Sequence, residues 1–154
     1  MNYWLMKTEP ATFGVDALAA APRMSSCWDG VRNYQVRNML RDDMGVGDLA
    51  FMYYSSCDVP GIAAVMEITR AGYPDHTAFE KRHAHFDAGS DANNPRWYMV
   101  DVRLQRRLKR VITLEELREH AASKLSELLI LRRGNRLSIV PVSSANWKFI
   151  LSLE

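Results

Sequence analysis

Apolar and polar positions change period repeatedly along this chain, as expected of interleaved helices and strands. Tyr3-Trp4-Leu5-Met6 predicts a short strand, and alanine-rich Val15 to Ala21 predicts a helix that Pro22 stops. Between Tyr34 and Met44, apolar Val36, Met39, Leu40 and Met44 recur at helical spacing, with Arg37, Arg41 and Asp42 on other faces. The turn Gly45-Val46-Gly47-Asp48 leads into an aromatic-rich strand, Leu49 to Tyr54. Pro60-Gly61 then opens Ile62 to Ile68, a strand expected to pair with it.

Gly72 to Asn94 is polar throughout and predicts a long excursion with one helical turn near Phe79; such loops are often functional. Trp97 to Leu108 alternates as a long strand. Thr113-Leu114-Glu115-Glu116 has the form of a capping box and starts a helix to about His120. Leu125 to Leu131 reads as a second helical piece and Leu137 to Val142 as a β-branched strand. Ser143-Ser144 caps a final helix through Trp147, Ile150 and Leu151. The sum is a mixed α/β (α+β) chain with roughly five or six strands and four or five short helices. It fits a small, curved mixed sheet or pseudo-barrel with peripheral helices. The crossovers are too varied for a doubly wound parallel sheet.

Composition narrows this picture. At 154 residues, 47% hydrophobic and 25% charged, the chain is expected to make one domain, 1–154, with a full core. No apolar run is long enough to span a bilayer, and Met1-Asn2-Tyr3-Trp4 has no signal-peptide pattern. Cys27 and Cys57 are isolated, so a reducing, cytoplasmic setting is expected, with no metal. The net charge of +2 hides an asymmetry. Residues 1–77 hold six Lys/Arg against nine Asp/Glu, and residues 78–154 hold fourteen against nine. Much of the excess is Arg103, Arg106, Arg107, Lys109 and Arg110, then Arg132, Arg133 and Arg136. Clustered cations attract phosphates, although such runs are more commonly solvated faces.

Candidate chemistry concentrates at residues 28–38. A Trp28-Asp29-Gly30 turn runs through Val31-Arg32-Asn33 into the helix at Tyr34, bringing together rings, a planar cation, an amide and free backbone donors. Those groups suit a flat polar ligand such as a nucleobase. The same stretch also reads as an ordinary helix start, with Trp28 in the core and Arg32 and Asn33 solvated. Signatures of catalysis are missing: no phosphate-binding glycine loop, no Gly-x-Ser-x-Gly elbow, no His-Glu-x-x-His helix. His83-x-His85 with Asp87 could in principle hold a metal, but a solvated loop is the better reading. Cys27 is read as a buried, inert thiol. Glu9 and Asp29 could form an acid–base pair, yet turn capping explains them equally well.

Five blocks in register resemble the EVE domain, a PUA-like family related to the YTH readers of modified RNA. They are Tyr3 to Pro10, Trp28 to Asn38, Gly47 through Ser56, Asn94 to Val102, and Leu131 to Val142. The resemblance covers essentially the whole chain, and the short amino terminus is similar to that of bacterial single-domain forms. It implies a pocket that accepts a flipped-out modified base, such as a modified cytosine in DNA, with RNA also in view. It carries the pocket role to Lys7, Thr8 and Glu9, to Trp28, Gly30, Val31, Arg32, Asn33 and Tyr34, and to Tyr53, Ser55 and Ser56. Within it Trp28 and Tyr34 would stack, and Asn33 would read a base edge. Thr8 stands where the family usually has Ser, Tyr54 and Ser56 where it tends to have His and Asn, and Val140 where Gln is common. The implied protein is a non-enzymatic nucleic-acid reader without cofactor or membrane partner, expected as a monomer, with the β-strand cations Arg103 to Arg110 on phosphates. The alternative is a small enzyme acting on a nucleobase or nucleotide through Glu9 or Asp29 with Lys7.

Overall fold

A computed structural model describes residues 1–154. Six strands form one open mixed sheet: β1 (Tyr3–Thr8), β2 (Ser25–Trp28), β3 (Leu49–Tyr54), β4 (Gly61–Pro74), β5 (Tyr98–Thr113) and β6 (Ile139–Val142). Their spatial order is β2-β5-β4-β3-β1-β6. Only β1 and β3 run parallel; every other neighbouring pair is antiparallel. Short helices α1 (Val15–Ala20), α2 (Tyr34–Asn38), α3 (Leu114–Glu119) and α4 (Ser144–Ser152) connect them, and a π turn, Met39–Asp43, continues α2.

Alternation along each strand sends neighbours to opposite faces and so builds two cores. Trp4, Met6, Ala50, Met52, Met66 and Ile68 face α1 and α2, with Leu18, Val36 and Leu40 against them. Leu5, Phe51, Tyr53, Ile62 and Val65 face the C-terminal segments, where Leu117, Trp147 and Ile150 close over them. β5 serves both: Val100, Val102 and Leu104 enter the first core, Leu108 and Ile112 the second. The exchange coincides with register slips in the β4–β5 ribbon, between Val65 and Met66 and again between Ile62 and Ala64. Unpaired residues of this kind bend a ribbon and raise its twist. The resulting curl brings edge strand β2 round to the end of β1, although β5, β4 and β3 lie between them in the sheet.

The capping chemistry expected at Thr113 and Ser143 is present, and Asn33 adds a cap that the sequence reading did not assign. Asn33, Thr113 and Ser143 accept hydrogen bonds from Val36, Glu116 and Asn146 amides at the starts of α2, α3 and α4. Two elements differ. Leu125 to Leu131 is a string of single turns with a 3-10 turn at Leu129–Leu131. Leu125 and Leu128 plug the second core, and the backbone bonds there close over three residues, not four. Strands β4 and β5 also run further than expected, to Pro74 and Thr113, each end carried by pairing with the start of the other strand.

Candidate functional site

At the seam between β1 and β2 lies a cleft of about 510 Å³. The end of β1 supplies Lys7, Thr8 and Glu9; the following turn supplies Thr12 and Phe13. β2 and its exit supply Ser26, Cys27, Trp28 and Asp29, and His85 reaches in from the long loop. Trp28 is mostly buried, meets Phe13 edge to face at 6.0 Å, and presents its remaining edge to the cleft. Burial alone lowers the Lys7 pKa, and no carboxylate lies within ion-pairing distance of its ammonium. Burial first, and then the nearby Asp29 and Asp101 carboxylates, raise the Cys27 pKa and keep it a thiol. The cleft thus holds a cation, carboxylates and aromatic rings, with Lys7 paired to neither carboxylate.

A buried clasp fixes the far wall. Asp75 is fully buried and takes hydrogen bonds from the Gly30 amide (2.9 Å), the Arg32 guanidinium (3.0 Å) and both donors of Thr77. Burial opposes its charge, but those donors outweigh burial and hold its carboxyl below the usual range. Arg32 also donates to the His85 carbonyl. The turn after β2 and the long loop are therefore tied together at two points. Gly30 makes the approach possible: it has φ +82°, and a Cβ there would sit 2.4 Å from the His85 ring.

His83 and His85 do meet a carboxylate, and it is Asp29 in place of Asp87. Their ring nitrogens lie 3.8 and 3.6 Å from Asp29 Oδ2. Asp87 instead accepts from the Trp97 indole and the Gly89 amide. His83 Nδ1 accepts from the His85 amide, which leaves its ring proton on Nε2 facing Asp29. Asp29, His83 and His85 thus bring three potential ligand atoms within 4.8 Å of one another. His85 Nδ1 is buried and has no partner.

The residues expected in one pocket divide. Lys7, Thr8, Glu9 and Trp28 line the cleft. Gly30 backs it through His85, Val31 belongs to the first core, and Arg32 is spent in the clasp. Asn33 is exposed and its side-chain oxygen caps α2, so it does not read the cleft. Tyr34 lies on the outer surface, stacked at 4.9 Å on Trp97 with the Arg37 guanidinium 5.0 Å from its ring. Tyr53 shares the parity of Phe51 and is buried on the opposite face. Ser55 bonds to the Thr8 carbonyl and steadies the strand end, while Ser56 is exposed at φ +53°. Tyr54 is turned away from the cleft: its hydroxyl accepts the Val15 amide at the start of α1, so it forms no wall for a base. The cleft also contains Phe13, Ser26 and His85, together with Thr12, Cys27 and Asp29, none of which the sequence placed in the pocket. The first two carry no distinguishing sequence signal; His85 was visible only as one of a histidine pair.

The β5 cations are largely neutralised. Arg103 pairs with Glu67, Arg106 with Glu154, Arg107 with Asp16 and Arg110 with Glu116, at 2.6–3.1 Å. The Lys109 amide is also held by Glu154. None of these five lines the cleft.

The EVE domain model matches residues 2–153. Human thymocyte nuclear protein 1 is 45% identical over 167 residues, covering 99% of this chain and 74% of that protein. The Danio rerio protein of the same name is 43% identical, covering 98% and 71%. Among solved structures, human THYN1 in complex with DNA containing 5-methylcytosine superposes with a TM-score of 0.94 at 43% identity, covering 99% of this chain and 97% of that one. A Pseudomonas putida protein superposes at 0.91 with 45% identity, covering 98% of each chain.

Proposed function

The chain belongs to the EVE domain family, and on that premise we propose that it binds nucleic acid by admitting one modified base into the β1–β2 cleft. The observation that carries this reading is the combination of aromatic surface, a cation and carboxylates lining that one cleft. Trp28 and Phe13 offer aromatic surface, Lys7 a donor, and Glu9 and Asp29 acceptors, beside one another and open to a ligand. Carboxylates accept from the exocyclic amine of cytosine, and an ammonium donates to a ring carbonyl or phosphate oxygen. A base inside a duplex cannot reach such a site, so it must be extruded at a cost of a few kcal/mol, offset by stacking and edge hydrogen bonds. The solved complex of the human relative with 5-methylcytosine DNA supports modified cytosine as the first ligand to try.

Binding without chemistry is the reading favoured over an enzyme. Lys7, Glu9 and Asp29 share the cleft without an ion pair or hydrogen bond among them, and Asp29 faces His83 and His85 at 3.8 and 3.6 Å, too far for the hydrogen bond that would set up an acid–base pair. The test is a titration of duplexes carrying one central 5-methylcytosine or cytosine, followed by mass spectrometry of the recovered strands. Tighter binding of the methylated duplex and unchanged masses are expected. A mass change on incubation would replace the reader by the enzyme, and equal affinities would remove modified-base recognition.

A further inference from the structure

A second hollow of about 400 Å³ adjoins the cleft and shares His85 with it. Its walls are Arg32, Ala84, Phe86, Arg96 and Trp97, with Asp87 at the base. We propose that it is a subsite for the nucleotide next to the extruded one, with Arg96 on its phosphate and Phe86 against its base or sugar. This rests on the base-binding reading of the cleft.

Three observations carry it. First, Phe86 is a large apolar side chain that is 39% exposed on a polar loop and packs into neither core. An exposed ring at the mouth of a base pocket is a stacking platform, tolerant of sequence because every base has a π face. Second, the Arg96 guanidinium is two-fifths exposed, and its hydrogen bond to the Gly89 carbonyl holds it in place. Its nearest carboxylate, Asp87, is 3.7 Å away and already accepts from the Trp97 indole, the Gly89 amide and the Ser90 hydroxyl. At 3.7 Å that ion pair is too long for a hydrogen bond, so a phosphate that accepts directly from the guanidinium displaces only a loose contact, with the Asp87 charge still beside it. Third, the two hollows touch at His85, so the occupant of one is covalently continuous with the occupant of the other when both are parts of one strand. The same outer surface continues into the Arg37–Tyr34–Trp97 stack, whose Arg37 guanidinium donates to the Arg96 carbonyl and fixes that backbone.

The experiment compares Phe86→Ala and Arg96→Gln with wild type on two ligands. One is a duplex with a single central 5-methylcytosine; the other is the free nucleoside 5-methyl-2′-deoxycytidine, followed by isothermal titration calorimetry. F86A is expected to weaken the duplex about fivefold or more, in line with loss of one stacked base. R96Q is expected to weaken it and lower the salt slope by roughly 0.7–0.9, with the slope restored by R96K. Nucleoside binding should match wild type in all three variants, which also reports that they are folded. Unchanged duplex affinity and slope in both variants would overturn the subsite, and so would an equal loss of nucleoside binding, which would make these residues part of the cleft itself. If the wild-type chain binds no oligonucleotide, the base-binding reading falls and the subsite with it. Binding with unaffected variants removes the subsite alone.

Discussion

The β5 ribbon and the β1–β2 cleft are both rich in charge, and they spend it in opposite ways. Along β5 four guanidiniums each close on a carboxylate at 2.6–3.1 Å, so the stripe that dominates the sequence presents little uncompensated field. In the cleft Lys7, Glu9 and Asp29 sit within one hollow without pairing to each other. Charge in a sequence therefore locates basic residues but not a binding site. What locates a site is charge that the fold leaves unanswered.

One of the largest expected effects tests the clasp that shapes the cleft. Asp75→Ala leaves Arg32 and the Gly30 and Thr77 amides without their acceptor. With Arg32 partly exposed, the loss of stability should fall toward the lower end of about 3–5 kcal/mol, read by urea unfolding. The pH dependence has a definite sign. The folded Asp75 carboxyl lies below its ordinary value, so its contribution is present above a pH of about 4 and is lost as pH falls through the folded value. Asp75→Asn should show a flatter acid limb than wild type. Equal urea midpoints for D75A and wild type would show that the loop is held by other contacts.

Two of the four buried tryptophans sharpen the comparison. Trp28 borders the cleft, whereas Trp147 stacks between Phe51 (3.8 Å) and Tyr3 (4.7 Å) on the other face. Replacing either by Ala should cost about 3–5 kcal/mol of stability. Replacement by Phe should preserve both folds, yet only Trp28→Phe should weaken binding of a modified base, by a part of the roughly 1–3 kcal/mol that stacking supplies. Matched binding by W28F and W147F would detach Trp28 from the site.

A smaller effect separates reading from holding. Asp29→Asn should narrow the preference for a cytosine-type base over thymine by about 1–3 kcal/mol and leave total stability nearly unchanged. A preference as wide as wild type would hand the role to Glu9. The smallest effect belongs to β5: Arg106→Gln with Arg107→Gln should leave affinity and its salt slope close to wild type. A slope lower by about one unit or more would show that nucleic acid displaces Glu154 and Asp16 from these arginines.

Much of the frame was legible because it is local. The Leu49–Tyr54 strand and the caps at Thr113 and Ser143 follow from neighbours in the chain. So does the approach of Lys7-Thr8-Glu9 to the Trp28 turn, once the family resemblance is granted. β2 was illegible: Ser-Ser-Cys-Trp has no alternation to read, and only its partner β5 makes it a strand. The pocket list went too wide for two reasons. Tyr53 was counted without its parity with Phe51, and Asn33 was treated as free when the cap had already claimed its oxygen. The clasp was beyond reach, since Asp75 meets Gly30 across 45 positions.

The pairing of β2 with β5, Ser25 against Arg103, has a consequence in time. One wall of the cleft has no sheet to lie on until a segment far along the chain has been made and has closed a long loop, which is slow relative to local contacts. During synthesis the first third of the chain carries nearly all the cleft-lining residues but no cleft. The site is a property of the finished molecule, so a ligand that fills it binds only the native state and raises the melting temperature by mass action.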